Sequence, residues 1–226
     1  MIEINQLTVS YGNNVVLEKL NAQFKPGKIH GILGVNGAGK STFFNTLYGT
    51  KKAIHGEIKL AENPIKKRDI AFLQTENYFY PLMKGKEYLQ LVAPQKDYQK
   101  WNEIFQLPLN DFVEDYSTGM KKKIAFMGLI LLDRNVYILD EPFNGVDIQS
   151  NEILIRIIQS LKEKGKLILI SSHILSSLLV VSDSIHRLQN GQFDKAIPKE
   201  NFSQFELDFK NEISGEISNR LKNLYF

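Results

Sequence analysis

The residues from Gly34 to Thr42, GVNGAGKST, have the types and spacing that can hold the phosphate groups of a nucleotide. They fit the pattern G-x-x-x-x-G-K-[ST], in which glycines let successive backbone N–H groups turn towards phosphate oxygens. Lys40 would place its charge on the outer phosphates, and the Ser41 hydroxyl would ligate Mg²⁺. A glycine-rich turn that only caps a helix is the alternative, whereas a dinucleotide fold would need a G-x-G-x-x-G register that is missing here. The predicted phosphate-binding set is Gly34, Asn36, Gly37, Ala38, Gly39, Lys40, Ser41 and Thr42.

A second group with chemical potential follows the apolar run Val136–Leu139, which ends in the consecutive acids Asp140 and Glu141. Such a run is typical of a buried strand, and ligands of open α/β sheets lie at the carboxyl ends of strands. Asp140 would hold Mg²⁺ through water. Glu141, which points differently on an extended chain, would polarise an attacking water. An acidic turn after a strand is the alternative, and the upstream glycine loop makes it the weaker one.

The length suits one large α/β domain or two small ones, and the composition is typical of a folded globular protein. Of the 226 residues, 43% are hydrophobic and 23% are charged, and none is cysteine. The lack of cysteine excludes a disulfide scaffold, a thiolate metal site and a cysteine nucleophile. A net charge of +3 does not by itself indicate nucleic-acid binding, and no nucleic-acid partner is expected.

No segment has the pattern of a membrane span or a signal peptide. The longest strongly apolar run, Ile124–Leu132, has nine residues, whereas crossing a bilayer takes about 20. The N-terminus has no basic segment followed by an apolar stretch. These features predict a soluble, intracellular protein that does not itself span a membrane.

The glycine loop and the periodicity together predict an α/β fold with a P-loop NTPase core: a mainly parallel sheet, an N-terminal antiparallel β subdomain and a helical insertion. Alternating residues in 2–9 and 20–24 indicate the antiparallel part, and short apolar runs at 28–33, 69–73, 136–139 and 167–170 indicate buried parallel strands. Helical spacing occurs at 42–48, 85–92, 120–132 and 148–161. Residues 76–135 lack a convincing strand and form the predicted insertion, between core segments 1–75 and 136–195. The extension 196–226 is either an amphipathic helix with Ile217, Leu221 and Leu224 on one side or a frayed end.

Together these residues resemble the ATP-binding subunit of ABC transporters over roughly residues 1–195. The family's signature peptide, usually Leu-Ser-Gly-Gly-Gln, corresponds to Tyr116–Met120, in which Ser117 and Gly119 are kept and the other three positions differ. The resemblance implies that Ser117 and Gly119 contact the γ-phosphate held by the glycine loop of another subunit. It therefore implies a homodimer or heterodimer with two ATP molecules, and their Mg²⁺, at its interface.

The family's order of motifs implies roles for four further residues. Gln74, after the run 69–73, corresponds to the glutamine that senses Mg²⁺ and the attacking water, and His173 corresponds to the switch histidine near the γ-phosphate. Asp147 lies in the segment that crosses the dimer, and Tyr11 corresponds to the aromatic residue that stacks on adenine. A surface glutamine, a structural histidine and a strand-edge tyrosine are the alternatives. The implied catalytic set is Glu141, His173 and Gln74, and the implied metal set is Ser41, Gln74 and Asp140.

Lys121, Lys122 and Lys123 directly follow the signature and leave two interpretations open. They are either a solvated helix face or a cationic helix start, which is unfavourable against the helix dipole. In the second case, nucleotide phosphate would compensate the charge of Lys121 and Lys122 when a dimer closes.

The resemblance implies a peripheral subunit at the cytoplasmic face of the membrane, which hydrolyses ATP to power a separate integral membrane permease. The signature variant and the short insertion resemble the efflux branch of the family and favour export. The aromatic cluster Tyr78, Phe79 and Tyr80 is the candidate permease contact, with core packing of the insertion as the alternative. A non-transport ABC ATPase that drives a macromolecular assembly, or a small-molecule or nucleotide kinase, is the alternative function.

Overall fold

The computed structural model describes residues 1–225, with all their side chains except those of 216, 220 and 223–225. An antiparallel sheet comes first, with strand order β2-β1-β4-β5. Alternate side chains of its longest strands are buried, as the 2-residue period of the sequence predicts. Its strands are β1 (Ile2–Tyr11), β2 (Asn14–Phe24), β4 (His55–Leu60) and β5 (Asn63–Pro64).

A second, mainly parallel sheet forms the centre of the molecule. Its strands are β3 (Lys28–Leu33), β6 (Ile70–Leu73), β7 (Val136–Asp140), β8 (Leu167–Ser172), β9 (Ser184–Gln189), β10 (Gln192–Phe193) and β11 (Ile197–Pro198). The order across the sheet is β10-β9-β3-β8-β7-β6. The pairs among β3, β6, β7, β8 and β9 are parallel, whereas β10 and β11 pair with β9 in antiparallel fashion. Together the two sheets confirm the predicted fold class.

Helices cover the parallel sheet, so that its central strands are buried on both faces. Along β7, Val136 and Ile138 pack with the antiparallel sheet and the first helix, while Tyr137 and Leu139 pack with the helices of the opposite face. This two-sided burial explains why the strand is continuously apolar. The helices are α1 (Lys40–Tyr48), α2 (Gly85–Val92), α3 (Gln99–Phe105), α4 (Thr118–Leu131), α5 (Ile148–Glu163), α6 (Leu175–Val181) and α7 (Phe202–Tyr225). Among the described residues, none of these helices has the length and apolar character to cross a bilayer.

The segment 76–135 contains α2, α3 and α4, together with an isolated β-bridge between Lys84 and Phe112. Its residues pack into the same hydrophobic core as the helix-covered face of the parallel sheet. In α4, Gly128 allows close contact with α2, because a Cβ there would lie 3.0 Å from the Tyr88 ring.

The C-terminal extension is helical over 24 residues, and the frayed-end alternative is wrong for the described part. Phe202 is buried, and Arg187 pairs with Glu212 at 2.5 Å, which fastens the first half of α7 to β9. Ile217 and Leu221 are exposed. The side chain of Leu224 lies outside the described residues.

Candidate active site

The loop between β3 and α1 combines left-handed glycine backbone with a free helix end. Gly37 and Gly39 have φ angles of 84° and 102°, which only glycine adopts readily. A Cβ at Gly39 would also lie 3.0 Å from Val16 Cγ1. Since Gly39 is the N-cap of α1 and has no side chain, the first N–H groups of the helix remain available to an anion. Buried Lys40 donates from Nζ to the Gly34 carbonyl at 2.7 Å, which folds its ammonium back over the loop.

The carboxylate of Asp140 is held between two hydroxyl groups. Ser41 Oγ donates to Asp140 Oδ2 at 2.8 Å, and Ser171 Oγ donates to Asp140 Oδ1. Ser171 also accepts the backbone N–H of Glu141 at 3.0 Å. Asp140 and Ser171 are directly paired between β7 and β8, so this contact follows from strand register. Sequence reasoning missed Ser171, because only the pairing of the two strands places it opposite Asp140.

Residues from two other elements hold the carboxylate of Glu141. Its Oε1 atom accepts the backbone N–H of His173 at 3.0 Å, and it lies 2.9 Å from His173 Nδ1 and 3.6 Å from Lys40 Nζ. Glu141 has a φ of 52°, a left-handed conformation that costs about 1–3 kcal/mol in a non-glycine residue. The backbone of Glu141 therefore turns sharply at the end of β7, where its carboxylate pairs with Lys40 and contacts His173.

These groups line one cleft of about 410 Å³, which lies within the usual size range of ligand sites, about 300–1,000 Å³. It brings together six of the eight predicted glycine-loop residues, both acids and His173, and adds three residues that were not predicted as site residues. The lining is Val16, Asn36, Gly37, Gly39, Lys40, Ser41, Thr42, Thr75, Asp140, Glu141, Asn144 and His173. A larger hollow of about 620 Å³, beside Trp101 and Arg156, includes neither the glycine loop nor this acid pair.

Val16 and Thr75 carried no signal that would identify them as site residues, whereas Asn144 lies in the segment that the family's order of motifs indicates, in which only Asp147 was taken as a site residue. Val16 is a strand residue of the antiparallel sheet, and Thr75 follows β6, so only the folded chain brings them to the cleft. Gly34 and Ala38 lie in the same loop, where the Ala38 N–H donates to the Val35 carbonyl at 3.1 Å.

Lys122 fits neither interpretation of the lysine run. Its side chain is only 5% exposed, and its Nζ donates to the carbonyls of Glu141 at 2.7 Å and Asn144 at 2.8 Å. Burial lowers the pKa of Lys122, an effect that the neighbouring carboxylates of Glu141 and Asp140 oppose. Lys122 is therefore not on a solvated face, and groups of its own chain compensate its charge. Lys121 donates to the Glu114 carbonyl at 2.8 Å, and its compensation by phosphate stays a prediction.

Ser117, Gly119 and Asp147 do not line the cleft of their own chain. Ser117 caps α4 by accepting the Met120 N–H at 3.2 Å. Asp147 caps α5 by accepting the Ser150 N–H at 2.9 Å, and hydrogen bonds from Ser150 lower the pKa of its carboxyl. Ser117 and Asp147 are exposed, so their polar groups can face a second molecule. Gly119 packs on the loop before α5, where a Cβ would lie 3.2 Å from the Gly145 carbonyl oxygen.

Tyr11 and Gln74 are also outside the described lining of the cleft. Tyr11 ends β1 with 51% of its surface exposed, and the Lys51 ammonium lies 3.8 Å from its ring centroid. Gln74 directly follows β6 and has an exposed side chain, while its neighbour Thr75 reaches the cleft. Their implied roles with adenine and with Mg²⁺ therefore stay predictions.

The sequence model of the family described as ABC transporter matches residues 17–144, which is more than half of the chain and includes the glycine loop and both acids. The chain belongs to the ABC transporter family. It is 33% identical over 219 residues to the ABC transporter ATP-binding protein AlbC of Bacillus subtilis (strain 168), a match that covers 88% of this chain and 92% of AlbC. It is also 33% identical over 213 residues to the bacitracin transport ATP-binding protein BcrA of Bacillus licheniformis, over 88% of this chain and 70% of BcrA.

The fold of this ABC protein is also that of a solved ATP-binding subunit of an ABC transporter. The two superpose with a TM-score of 0.83 over 92% of this chain and 94% of the other, at 28% identity. As a member of this family, the protein binds ATP and acts as an ATPase. The cleft offers loop N–H groups and the Lys40 ammonium as donors to an anion, and the Glu141 carboxylate as a candidate base.

The oxygen donors of Ser41 and Asp140 fit a Mg²⁺ ion. Their oxygens lie within 2.8 Å of each other, and Mg²⁺ prefers oxygen ligands, typically one or two from protein together with phosphate oxygens and water. No cluster of three or more histidine, cysteine or acidic side chains suited to a metal occurs in the described part of the chain. The hydroxyl of Ser41 and the carboxylate of Asp140 thus suit a Mg²⁺ ion that shares its coordination with nucleotide phosphate.

Proposed function

We propose that this ATPase hydrolyses Mg²⁺-ATP at composite sites between two subunits and powers a separate integral membrane permease. One observation carries the proposal: the cleft has the glycine loop, Asp140, Glu141 and His173, whereas Ser117 and Gly119 lie outside it. A second subunit would bring its own Ser117 and Gly119 to the open side of the cleft. Two such subunits around a two-fold axis would enclose two ATP molecules.

Each side chain of the cleft would then have a separate task. Lys40 and the loop N–H groups would bind the phosphates, and Ser41 with Asp140 would hold Mg²⁺, which neutralises charge on the transferred phosphoryl group. Glu141 would polarise the attacking water, and His173 would orient the Glu141 carboxylate and approach the γ-phosphate. Gln74, Tyr11 and Asp147 would join this arrangement when nucleotide and the second subunit are bound.

Mixing two inactive variants tests the composite site. Lys40→Ala removes the phosphate-binding charge, and Ser117→Asp keeps the cap of α4 but places a negative charge where phosphate is proposed to bind. Neither variant should hydrolyse ATP alone. Their mixture should recover about a quarter of the wild-type rate, because half of the dimers would be mixed and each would have one intact site. Ser117→Asn, which also caps a helix but is neutral, is the control and should retain most activity; a mixture as inactive as its components would contradict the proposal.

We also propose that Tyr78 and Tyr80 contact the permease. They are 76% and 59% exposed, and their ring centroids lie 5.5 Å apart in an edge-to-face arrangement. Phe79 instead packs on Tyr88, with ring centroids 5.0 Å apart, so the core-packing alternative applies to this one member of the cluster. An exposed pair of aromatic rings is suited to a protein interface.

Charged substitutions test this contact. Tyr78→Glu and Tyr80→Glu should preserve ATP hydrolysis and abolish co-purification with the membrane protein. Ile104→Glu, an exposed apolar position on α3, is the matched control and should preserve both properties. Unchanged co-purification of the tyrosine variants would contradict the assignment.

We further propose export as the direction of transport, with the protein at the cytoplasmic face of the membrane. Support comes from the signature variant Ser117–Met120, which resembles the efflux branch, and from the similarity to a bacitracin transport protein. Loss of the gene should then raise sensitivity to membrane-active peptides. A growth requirement for an external nutrient instead would indicate import, and normal membrane transport with a failed cellular assembly would favour the non-transport alternative.

The division into domains is a related proposal. We assign 1–195 to the ATP-binding domain, with core segments 1–75 and 136–195 and a helical subdomain at about 76–135, and 196–226 to a C-terminal extension. Support comes from the helices α2 and α3, which lie between the strands β6 and β7 in the chain. Limited proteolysis should cleave the exposed residues 194–196 and leave ATP binding intact, while the extension stays docked through β11 and Phe202. Resistance of this segment to cleavage would contradict the boundary.

A further inference from the structure

Lys122 connects the start of α4 to the loop that follows β7. Its ammonium donates to the carbonyls of Glu141 and Asn144, at 2.7 Å and 2.8 Å, although it is only 5% exposed. A buried charge is costly unless it is paired, and hydrogen bonds from an ammonium are about twice as strong as neutral ones. Lys122 is therefore an internal contact of this chain and not a surface lysine.

The backbone that Lys122 holds is a strained turn. Glu141 has a φ of 52°, and its carbonyl also accepts the Asn144 N–H at 3.3 Å. Pro142 follows Glu141 and has no N–H with which to strengthen the turn. The Glu141 carbonyl, which closes the turn, thus accepts a second hydrogen bond from the Lys122 ammonium. This bond fixes the peptide group between Glu141 and Pro142.

The side chain of Glu141 extends from this turn into the cleft. Oε1 accepts the His173 N–H at 3.0 Å and lies 3.6 Å from Lys40 Nζ. A shift of the Glu141 backbone would move this oxygen relative to both partners. Lys122 does not line the cleft, so any influence on the reaction must pass through Glu141 and its loop.

We propose that Lys122 is a positioning residue for ATP hydrolysis, which holds the turn at Glu141 so that the Glu141 carboxylate stays beside His173 and Lys40. The inference rests on the proposed role of Glu141 in polarising water. Misplacement of a reacting group by about 1 Å can cost about 100-fold in rate, which sets the scale of the effect.

Lys122→Met tests the proposal, because methionine retains length and apolar contacts but leaves the two carbonyls without the ammonium. We expect kcat for Mg²⁺-ATP to fall about 10- to 100-fold, while KM changes by less than about threefold because the glycine loop is unaltered. Lys162→Met is the matched control. Lys162 donates to Asp183 at 2.6 Å at the far end of α5, so its loss should lower the unfolding temperature and leave kcat within about twofold.

A conservative variant separates positioning from general stability. Lys122→Gln retains one donor group in place of the ammonium, and its kcat should lie between those of wild type and Lys122→Met. If Lys122→Met does not fold, Lys122→Gln alone decides, and a kcat equal to that of wild type overturns the proposal. The proposal is also overturned if kcat of Lys122→Met stays within about twofold of wild type. Glu141→Gln distinguishes failure of the Lys122 proposal from failure of the proposed role of Glu141. If Glu141→Gln leaves hydrolysis intact, the role of Glu141 fails.

Discussion

The Nδ1 atom of His173 lies 2.9 Å from Oε1 of Glu141, and the backbone N–H of His173 donates to the same oxygen at 3.0 Å. The imidazole and the backbone N–H of His173, which follows β8, thus both hold the Glu141 carboxylate, which follows β7. The Lys40 ammonium lies 3.6 Å from the same oxygen. The carboxylate that we propose to polarise water is therefore aimed by a histidine and a lysine that belong to the same cleft.

Removal of the His173 side chain should slow hydrolysis. His173→Ala retains the backbone N–H contact and loses the imidazole, so we expect kcat to fall by at least about 100-fold, the lower end of the usual contribution of a group that assists proton transfer. Steady-state phosphate release measures it. His55→Ala, at an exposed position on β4, is the control and should match wild type. A His173→Ala rate equal to that of the control would contradict the role of His173.

Ser171 should be needed to orient Asp140. Ser171→Ala leaves Asp140 Oδ1 and the Glu141 N–H without their hydroxyl partner, so the free energy of unfolding should fall by about 1–3 kcal/mol. The Mg²⁺ concentration for half-maximal hydrolysis should also rise. Ser172→Ala is the matched control, because Ser172 is buried too and its hydroxyl accepts the Ile174 N–H at 3.0 Å. An equal metal requirement in both variants would contradict this role.

Tyr11 should contribute to nucleotide affinity. If adenine stacks on its half-exposed ring, Tyr11→Ala should raise the KM for ATP about 10-fold, since stacking on an aromatic ring contributes about 1–3 kcal/mol per base. Tyr11→Phe retains the ring and should behave as wild type. Titration of ATP in the hydrolysis assay measures both, and a KM for Tyr11→Ala equal to that of Tyr11→Phe would place adenine elsewhere.

A buried histidine pair should make stability depend on pH. Burial, with a smaller effect of His30, lowers the pKa of His186 to about 3, and burial also lowers the pKa of His30. The centroids of the two rings lie 5.7 Å apart, beside Phe24 and Phe193. The Ser184 hydroxyl of β9 is hydrogen-bonded to Nδ1 of His30. The charged groups that act on His30 are Asp183, Lys28 and Lys25. In the unfolded chain His186 would have a pKa of about 6.5.

Because the unfolded chain binds a proton that the folded chain excludes, stability is highest above about pH 6.5 and falls as pH decreases towards about 3. For His186 alone, the slope approaches about 1.4 kcal/mol per pH unit. Denaturant titrations at pH 7.5 and pH 5.5 measure this change. His186→Phe should reduce the pH dependence, whereas His55→Gln at an exposed site should retain it. An unchanged slope in His186→Phe would contradict the assignment.

The parts of the fold that sequence could predict are those with local patterns. The glycine loop predicted the end of β3 and the start of α1, and the apolar runs predicted β6, β7 and β8. In contrast, α6 and β9 were not predicted, and α3 has too few buried residues to produce a helical period, with only Phe105 buried. The length of α7 was also missed, because much of its apolar stripe lies on exposed surface.

The candidate site shows the same division. The cleft contains Lys40, Ser41, Asp140, Glu141 and His173 because each of them ends or directly follows a strand or starts the helix after it. Ser171 and Lys122 needed three-dimensional information. The position of Ser171 opposite Asp140 depends on the register of β7 and β8. Lys122 belongs to a run of lysines, and only the packing of α4 shows that its side chain is directed inward.

The most direct test of the account is the behaviour of Glu141→Gln with Mg²⁺ and ATP. The substitution removes the charge that would polarise water and leaves the glycine loop and Ser117 intact. The account predicts that hydrolysis falls at least about 100-fold and that the protein forms a stable dimer containing two ATP molecules, measured by light scattering and nucleotide content. A protein that remains monomeric at saturating ATP, or that hydrolyses ATP at the wild-type rate, would contradict it.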